Sequence, residues 1–267
     1  MQISANNYQY VRDRLKQRTG VELGDKRQTL VASRLNRRLT KLGISAVDQY
    51  IERLKNLPAS DPEWILFVDL LTTHETYFFR EGQHYDFLKQ VIFPGFKQLK
   101  LDILSAACST GEEAYSIAME CSEYFGNKDN WSIYASDISN GSIECAKKGL
   151  YSMGRAKLIP EVYLKKYMLK GQDKFDGLCL VKDTLKQRIN FYIDNILESK
   201  SSKTFDVIFC RNLLIYFDDE TKQKLINQLF QSLNKNGYLI ISHSERLRGF
   251  LPNNVLVSNS IARRDNE

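Results

Sequence analysis

The hydrophobic pattern of the chain changes period near Leu101, and that change limits the folds open to it. Over the first 90 residues apolar positions recur at helical spacing, and nothing alternates with the period of two that a half-buried strand needs. Tyr8, Val11 and Leu15 form one stripe, Val31, Leu35, Leu39 and Leu42 a second, and Tyr50, Ile51 and Leu54 a third. Gly20, Gly43 and the stretch from Pro58 to Pro62 separate them. From Leu101 short apolar runs take over. Strands are expected at Leu101–Ala106, Ser132–Ser136, Ile189–Ile193, Asp206–Cys210 and Tyr238–Ser242, with helices at about 112–125, 139–148 and 219–234. Such alternation indicates an α/β domain, a mostly parallel sheet covered by helices on both faces. The expected organisation is a helical domain over 1–85, a connection over 86–100 and an α/β domain over 101–267. The run KGQDKFDGLCLVKD marks a small β-hairpin inserted at about 165–185.

Composition excludes several functions. The 267 residues are 43% hydrophobic with five prolines, which fits packed domains rather than a disordered or fibrous chain. The opening residues have no apolar core of a signal peptide, and no stretch approaches the roughly 18 apolar residues of a membrane span. A cytoplasmic protein without membrane insertion is expected. Cys108, Cys121, Cys145, Cys179 and Cys210 contain no C-x-x-C pair and read as reduced core thiols. His74, His84 and His243 are too few and too scattered to suggest a zinc cluster, so no metal site is expected, although acidic residues can complete a site that sequence does not reveal. The net charge of +6 is uneven: residues 1–60 hold 12 basic and 5 acidic residues, leaving 26 and 27 for the rest. An anionic partner is therefore met mainly by the N-terminal part.

In open parallel sheets a ligand sits at the carboxyl ends of the strands, beside the switch in strand order. The first strand exits into ACSTGEEAYSIAM, small residues and then Gly111 before a helix opening with Glu112 and Glu113. Two carboxylates at a helix N-terminus make the spot poor for a pyrophosphate and good for a cation. The loop also lacks G-x-G-x-x-G and a P-loop lysine. Asp137 ends the second strand, 26 residues past Gly111, roughly where a doubly wound fold places the acid that binds a ribose. The third strand exits into Asp194-Asn195 and the fourth into Arg211-Asn212, whose amides can read an adenine edge. A ligand that is cationic and carries both ribose and adenine fits: S-adenosylmethionine, bound by a Rossmann-like class I methyltransferase fold.

The segments TTHETYFFRE (72–81), LSAACSTGEEAYSIAM (104–119), ASDIS with GLY (135–139 and 149–151), FDVIFCRNLLIYFD (205–218) and SHSE (242–245) together resemble the chemotaxis receptor methyltransferase family, CheR. The resemblance covers nearly the whole chain, with the motifs in order. It implies a protein-glutamate O-methyltransferase that moves a methyl group from S-adenosylmethionine to glutamates on the cytoplasmic helices of methyl-accepting chemoreceptors, leaving S-adenosylhomocysteine. It also implies, position by position, that Thr76, Arg80, Glu113, Asp137, Asn195, Ile196, Arg211 and Asn212 contact the cofactor. Glu113 would hold the methionine ammonium, Asp137 the ribose, and Arg80 the methionine carboxylate or the substrate. Tyr216, in the matching I-Y-F-D motif, would stand nearest the reacting methyl group, so Arg80 and Tyr216 are the expected catalytic pair. The inserted hairpin resembles the family's small β-subdomain, which in some members docks a receptor tail. Three positions depart from the pattern: His74 stands where Asn is usual, Ala107 where Gly is common and Ala114 where Pro is frequent. His74 bears most directly on cofactor affinity, since an imidazole cannot donate and accept in the geometry of an amide.

The chemistry agrees with the residues. A glutamate side chain has an ordinary pKa of about 4.3 and is already a nucleophile at neutral pH, so a histidine-poor chain is no obstacle. Arg34, Arg37, Arg38 and Lys41 fall at i, i+3, i+4 and i+7 and gather four cations along one side of a helix, a complement to an acidic receptor helix. In the family the arginines of this helix are assigned that role. Two rival readings remain open. A nucleic-acid methyltransferase shares the fold, but CRNLLIYF contains neither an [N/D]-P-P-[Y/F] run nor a Pro-Cys nucleophile, and no basic stripe with interleaved aromatics occurs, so no nucleic-acid partner is expected. A catalytically weak or inactive relative, binding cofactor or receptor as a regulatory module, is the alternative that His74 keeps alive. The chain is expected to act as a monomer.

Overall fold

The computed structural model describes residues 2–126, 128–199 and 201–265, which divide into two compact units, the residues up to 73 with 216–221, and 74–215 with those from 222 onward. The first unit is helical. Its helices are α1 (Ala5–Thr19), α2 (Gln28–Leu42), α3 (Val47–Lys55) and α4 (Glu63–Leu71). The sequence stripes face inward as their spacing requires: Val11, Leu15, Val31, Leu35, Leu39, Tyr50, Ile51 and Leu54 are buried, while Leu42 is only half-buried at the end of α2. The Ser4 hydroxyl accepts from the Asn7 amide at the start of α1, and Gly20 and Gly43 close α1 and α2. Residues 216–221 join this unit through Lys16, whose ammonium lies 2.7 Å from the Asp218 carboxylate, and through the Glu22 amide, which donates to the Tyr216 carbonyl at 2.8 Å.

The second unit opens with α5 (Gln83–Phe87), a π-turn at Leu88–Ile92 and a 3-10 turn at Phe93–Phe96. The connection expected over 86–100 is thus largely helical, and Leu88, Ile92 and Phe93 are buried in the core of this unit. The chain divides at 73/74 rather than near 85. Leu88, Ile92 and Phe96 recur at intervals of four, a helical spacing that fits the turns found there.

The main elements then alternate: β1 (Leu101–Ala106), α6 (Glu112–Phe125), β2 (Trp131–Asp137), α7 (Asn140–Lys148), β3 (Leu150–Ser152), α8 (Glu161–Tyr167), β4 (Met168–Lys170), β5 (Leu178–Val181), α9 (Asp183–Lys186), β6 (Ile189–Ile193), β7 (Phe205–Cys210), α10 (Asp219–Gln231), β8 (Leu233–Ile240) and β9 (Ile261–Arg263). The six-stranded sheet runs β6-β2-β1-β7-β8-β9, parallel except for β9, which pairs antiparallel with β8. β1 is buried at nearly every position, as a strand covered on both faces must be. Strand order reverses between β1 and β7, which places the switch point at their exits. Register aligns those exits: Ala106 lies beside Ser136 on one side and Cys210 on the other, and Asp137 lies beside Ile193.

A second sheet, β3-β5-β4, is antiparallel and three-stranded. The hairpin expected at about 165–185 supplies β4 and β5, and β3 adds a strand from before α8. Four of the five cysteines are buried as expected, but Cys145 is exposed on α7. No helix of the described residues is long and apolar enough to cross a membrane.

Candidate active site

The β1 exit is shaped by backbone before side chains enter. Ala107 and Ser109 both have positive φ, 56° and 50°, which folds the loop back over the strand ends. Gly111 follows at φ 94°, and a Cβ there would lie 2.8 Å from the Ala146 Cβ on α7, so only glycine allows α6 to start this close to its neighbour.

The two acids that open α6 face different partners. Glu112 is fully buried, accepting from the Thr110 hydroxyl at 2.7 Å and pairing with Arg155 at 2.7 Å. It braces the loop and is not directed at a ligand. Glu113 accepts from the Ser105 hydroxyl at 2.7 Å and lies 3.2 Å from a nitrogen of Arg211. Burial pushes the Glu113 carboxyl above its usual range, and the Arg211 charge opposes that shift.

The Arg211 guanidinium is turned into the protein. Its side chain is 1% exposed and reaches across the sheet end to Glu113, to Glu81 at 3.4 Å and to the Arg80 carbonyl. The guanidinium is thus spent on two carboxylates, a contact that the position just after a strand does not reveal. Asn212 follows at φ 59°, donating its side-chain amide to the Ser242 hydroxyl at 2.8 Å and its backbone amide to Glu245 at 3.1 Å.

Asp137 serves the loops on both sides. One carboxylate oxygen accepts the Ser109 amide at 2.8 Å and the other the Ser139 amide at 2.9 Å. A carboxylate oxygen can accept more than one hydrogen bond, so this acid is of a type that suits a ligand hydroxyl. The Asn195 side chain accepts the Leu197 amide at 3.3 Å and the Ile196 carbonyl accepts from Gln228 at 2.8 Å, both in the β6 exit.

The segment 74–81 belongs to the same unit. His74 has its Nδ1 3.2 Å from the Ser142 hydroxyl on α7, and its carbonyl accepts from the Ser109 hydroxyl at 3.0 Å. It ties this segment to the β1 and β2 exits. Thr76 contributes its carbonyl to Arg155 at 3.3 Å. Arg80 is half-buried; it donates to the Glu75 carbonyl at 3.2 Å and lies over the Tyr77 ring at 5.4 Å. Tyr216 groups with the helical unit.

Two residues that sequence reasoning passed over organise this end of the sheet. Glu245, the last residue of SHSE, accepts the amides of Ser242 at 2.9 Å, Asn212 at 3.1 Å and Ile215 at 3.3 Å. Glu81 accepts from the Ser242 hydroxyl at 2.6 Å and the His243 amide at 3.2 Å. The motifs containing them were legible, but a carboxylate aimed at backbone amides leaves no periodic signal.

The comparisons with known proteins bear on this geometry directly. Residues 74–260 match the family model described as CheR methyltransferase, SAM binding domain, and residues 6–72 match CheR methyltransferase, all-alpha domain. The chain belongs to the CheR methyltransferase family. Curated relatives agree: a chemotaxis protein methyltransferase of Borreliella burgdorferi is 38% identical over 243 residues, 86% of this chain and 84% of that protein. Chemotaxis protein methyltransferase 2 of Pseudomonas aeruginosa is 38% identical, covering 90% of this chain and 86% of the relative, and the Escherichia coli K12 protein is 34% identical, covering 91% and 85%. As a CheR-family protein the chain is an S-adenosylmethionine-dependent methyltransferase. The residues fit that cofactor: the parallel strands release, at one edge, an acid of the kind that accepts from hydroxyls, amide-bearing side chains, and a buried carboxylate of the kind that binds a cation. The CheR helical domain holds its four predicted receptor-facing cations unequally. Arg34 donates to the Leu71 carbonyl at 2.6 Å and the Thr72 carbonyl at 3.0 Å, closing α4, and Arg38 pairs with buried Glu63, whereas Arg37 and Lys41 are exposed.

Proposed function

We propose that this methyltransferase of chemotaxis esterifies glutamate side chains on the cytoplasmic helices of chemoreceptors. The observation that carries the reading is the engagement of the acids at the strand exits. Glu113 is held by Arg211 and Ser105, and Asp137 by two backbone amides, so neither is arranged as a general base. A carboxylate nucleophile is ionised at neutral pH and needs none.

S-adenosylmethionine supplies a methyl group on a sulfonium centre; the carboxylate oxygen forms the new bond as the sulfur takes the old bonding pair. Opposite charges vanish in that displacement, so alignment and exclusion of water do most of the work. In this proposal Glu113 holds the methionine ammonium and the Arg211 charge favours the ionised form of Glu113. Asp137 binds the ribose hydroxyls, while Asn195, Ile196 and Asn212 border the adenine. Arg80, with Thr76 and His74, orients the methionine end or the incoming carboxylate, and Tyr216 stands by the reacting methyl group. Exposed Arg37 and Lys41 on α2 meet the acidic receptor helix. The protein acts as a monomer in the cytoplasm.

The test is tritiated S-adenosylmethionine incubated with a panel of receptor cytoplasmic fragments and with RNA. Label on receptor that mild base releases as methanol supports the reading. Label stable to base, or confined to RNA, overturns it.

A further inference from the structure

Glu81, His84 and His243 converge within the second unit although the sequence scatters them. Glu81 closes the 72–81 motif, His84 lies in α5, and His243 lies on the loop after β8. Each offers one ligand atom, and these atoms all lie within 4.8 Å of one another. The two imidazoles meet edge to face with ring centroids 4.3 Å apart.

His84 is the observation that asks for an explanation. It is 1% exposed, and neither ring nitrogen makes a hydrogen bond. The nearest polar partner is a Glu81 oxygen 3.4 Å from Nδ1. A buried polar group left without partners costs about 1–3 kcal/mol, so a fold that keeps one there calls for a ligand.

Glu81 is already oriented. The Ser242 hydroxyl and the His243 amide fix its two oxygens, the kind of support that metal-binding carboxylates receive from their surroundings. His243 is exposed, so an ion can enter from solvent and keep a water on the open side. In a tetrahedral zinc site with bonds of about 2.0–2.1 Å, ligand atoms stand roughly 3.3–3.5 Å apart. The exposed His243 side chain can close that difference by a change of rotamer. Arg211, 3.4 Å from Glu81, is the opposing charge, and it is shared with Glu113.

We propose that Glu81, His84 and His243 form a binding site for one divalent transition cation of the zinc type, two imidazoles and a carboxylate with an open position for water. That ligand set is of borderline softness and suits zinc, nickel or cobalt over magnesium or calcium. None of the three ligands is among the cofactor contacts assigned above, to which Arg211 and Ser242 link Glu81, and the proposal stands whether or not the methyl acceptor is glutamate.

The experiment titrates the full chain, carrying no histidine tag, with zinc chloride by calorimetry, and repeats the titration with cobalt while following visible absorption. One ion per chain is expected, together with a cobalt d–d band. His243→Ala weakens binding by at least about tenfold, and Cys145→Ser leaves it unchanged. Circular dichroism confirms that each variant is folded; His243 is exposed, so its loss does not empty the core. Binding no tighter than millimolar, binding unaffected by His243→Ala, or binding lost in Cys145→Ser overturns the proposal.

Discussion

Arg211 lies 3.2 Å from Glu113, and the two residues come from the exits of β7 and the start of α6, the elements that flank the switch point of the sheet. The arginine side chain is 1% exposed and the glutamate 13%. Removing one partner of a buried pair leaves the other charge uncompensated, at a cost of about 3–5 kcal/mol. Arg211→Met should lower stability in urea melts by that order and weaken binding of S-adenosylhomocysteine, because the charge that opposes the effect of burial on the Glu113 carboxyl is then gone. In a double-mutant cycle Glu113→Gln should recover part of the lost stability but none of the lost affinity. Additive losses in both assays would mean that the two residues act independently.

Asp137 joins fold and site in one carboxylate. Asp137→Asn keeps one acceptor for the Ser109 or Ser139 amide, whereas Asp137→Ala keeps none. Both variants should bind S-adenosylhomocysteine at least about tenfold more weakly, the worth of one charged hydrogen bond. Only the alanine variant should also lose about 2 kcal/mol in a denaturant melt. Calorimetry and melts on the same preparations separate the two effects.

The four cations of α2 should fall into two pairs. Reversing Arg37 and Lys41 to Glu should reduce methylation of receptor fragments severalfold and leave S-adenosylhomocysteine binding unchanged, since both side chains are exposed. Arg34→Ala should instead destabilise the helical unit, because its guanidinium caps the Leu71 and Thr72 carbonyls. Comparable loss of methylation per unit of folded protein for the Arg37/Lys41 reversal and for Arg34→Ala would remove the distinction.

Ala107 sits at φ 56°, a conformation that costs an L-residue roughly 1–2 kcal/mol and glycine almost nothing. Ala107→Gly should therefore raise stability by about 0.5–1 kcal/mol after the entropy glycine adds to the unfolded chain, read as an increase in melting temperature. The departure from the family's usual glycine is thus a strain that this chain tolerates.

What could be read from the sequence follows what leaves a period. β1, β6 and α6 run over the expected residues because continuous apolar runs and turn residues mark both ends. Strand exits then locate Glu113, Asp137, Asn195 and Asn212 without side-chain information. The direction in which a charged side chain turns leaves no such mark. Arg34 and Arg38 share a helix side with Arg37 and Lys41, yet the first two are drawn inward by the end of α4 and by Glu63. β9 is three residues long and too short to announce itself, and His84 and His243 meet only because α5 and the loop after β8 fold together.

Glu63 should make the helical unit acid-sensitive. The Arg38 guanidinium donates to it at 2.8 Å through Nε and again through a second nitrogen, and the buried Tyr50 hydroxyl adds a third bond at 2.8 Å. The Arg38 bonds, with Tyr50 in support, outweigh burial and hold the Glu63 carboxyl below the ordinary value of 4.5. A carboxyl depressed in the folded state takes up protons more readily when unfolded, so its contribution is fully present above the unfolded pKa. That contribution fades as pH falls from about 4.5 through the lower folded value. Glu63→Gln should therefore flatten the acid limb of stability measured in urea between about pH 7 and about pH 3, while being less stable at neutral pH by about 2–3 kcal/mol. Arg38→Met should flatten it too, because Glu63 then loses the bonds that depress it. An acid limb equally steep in wild type and both variants would show that other carboxylates govern the acid transition.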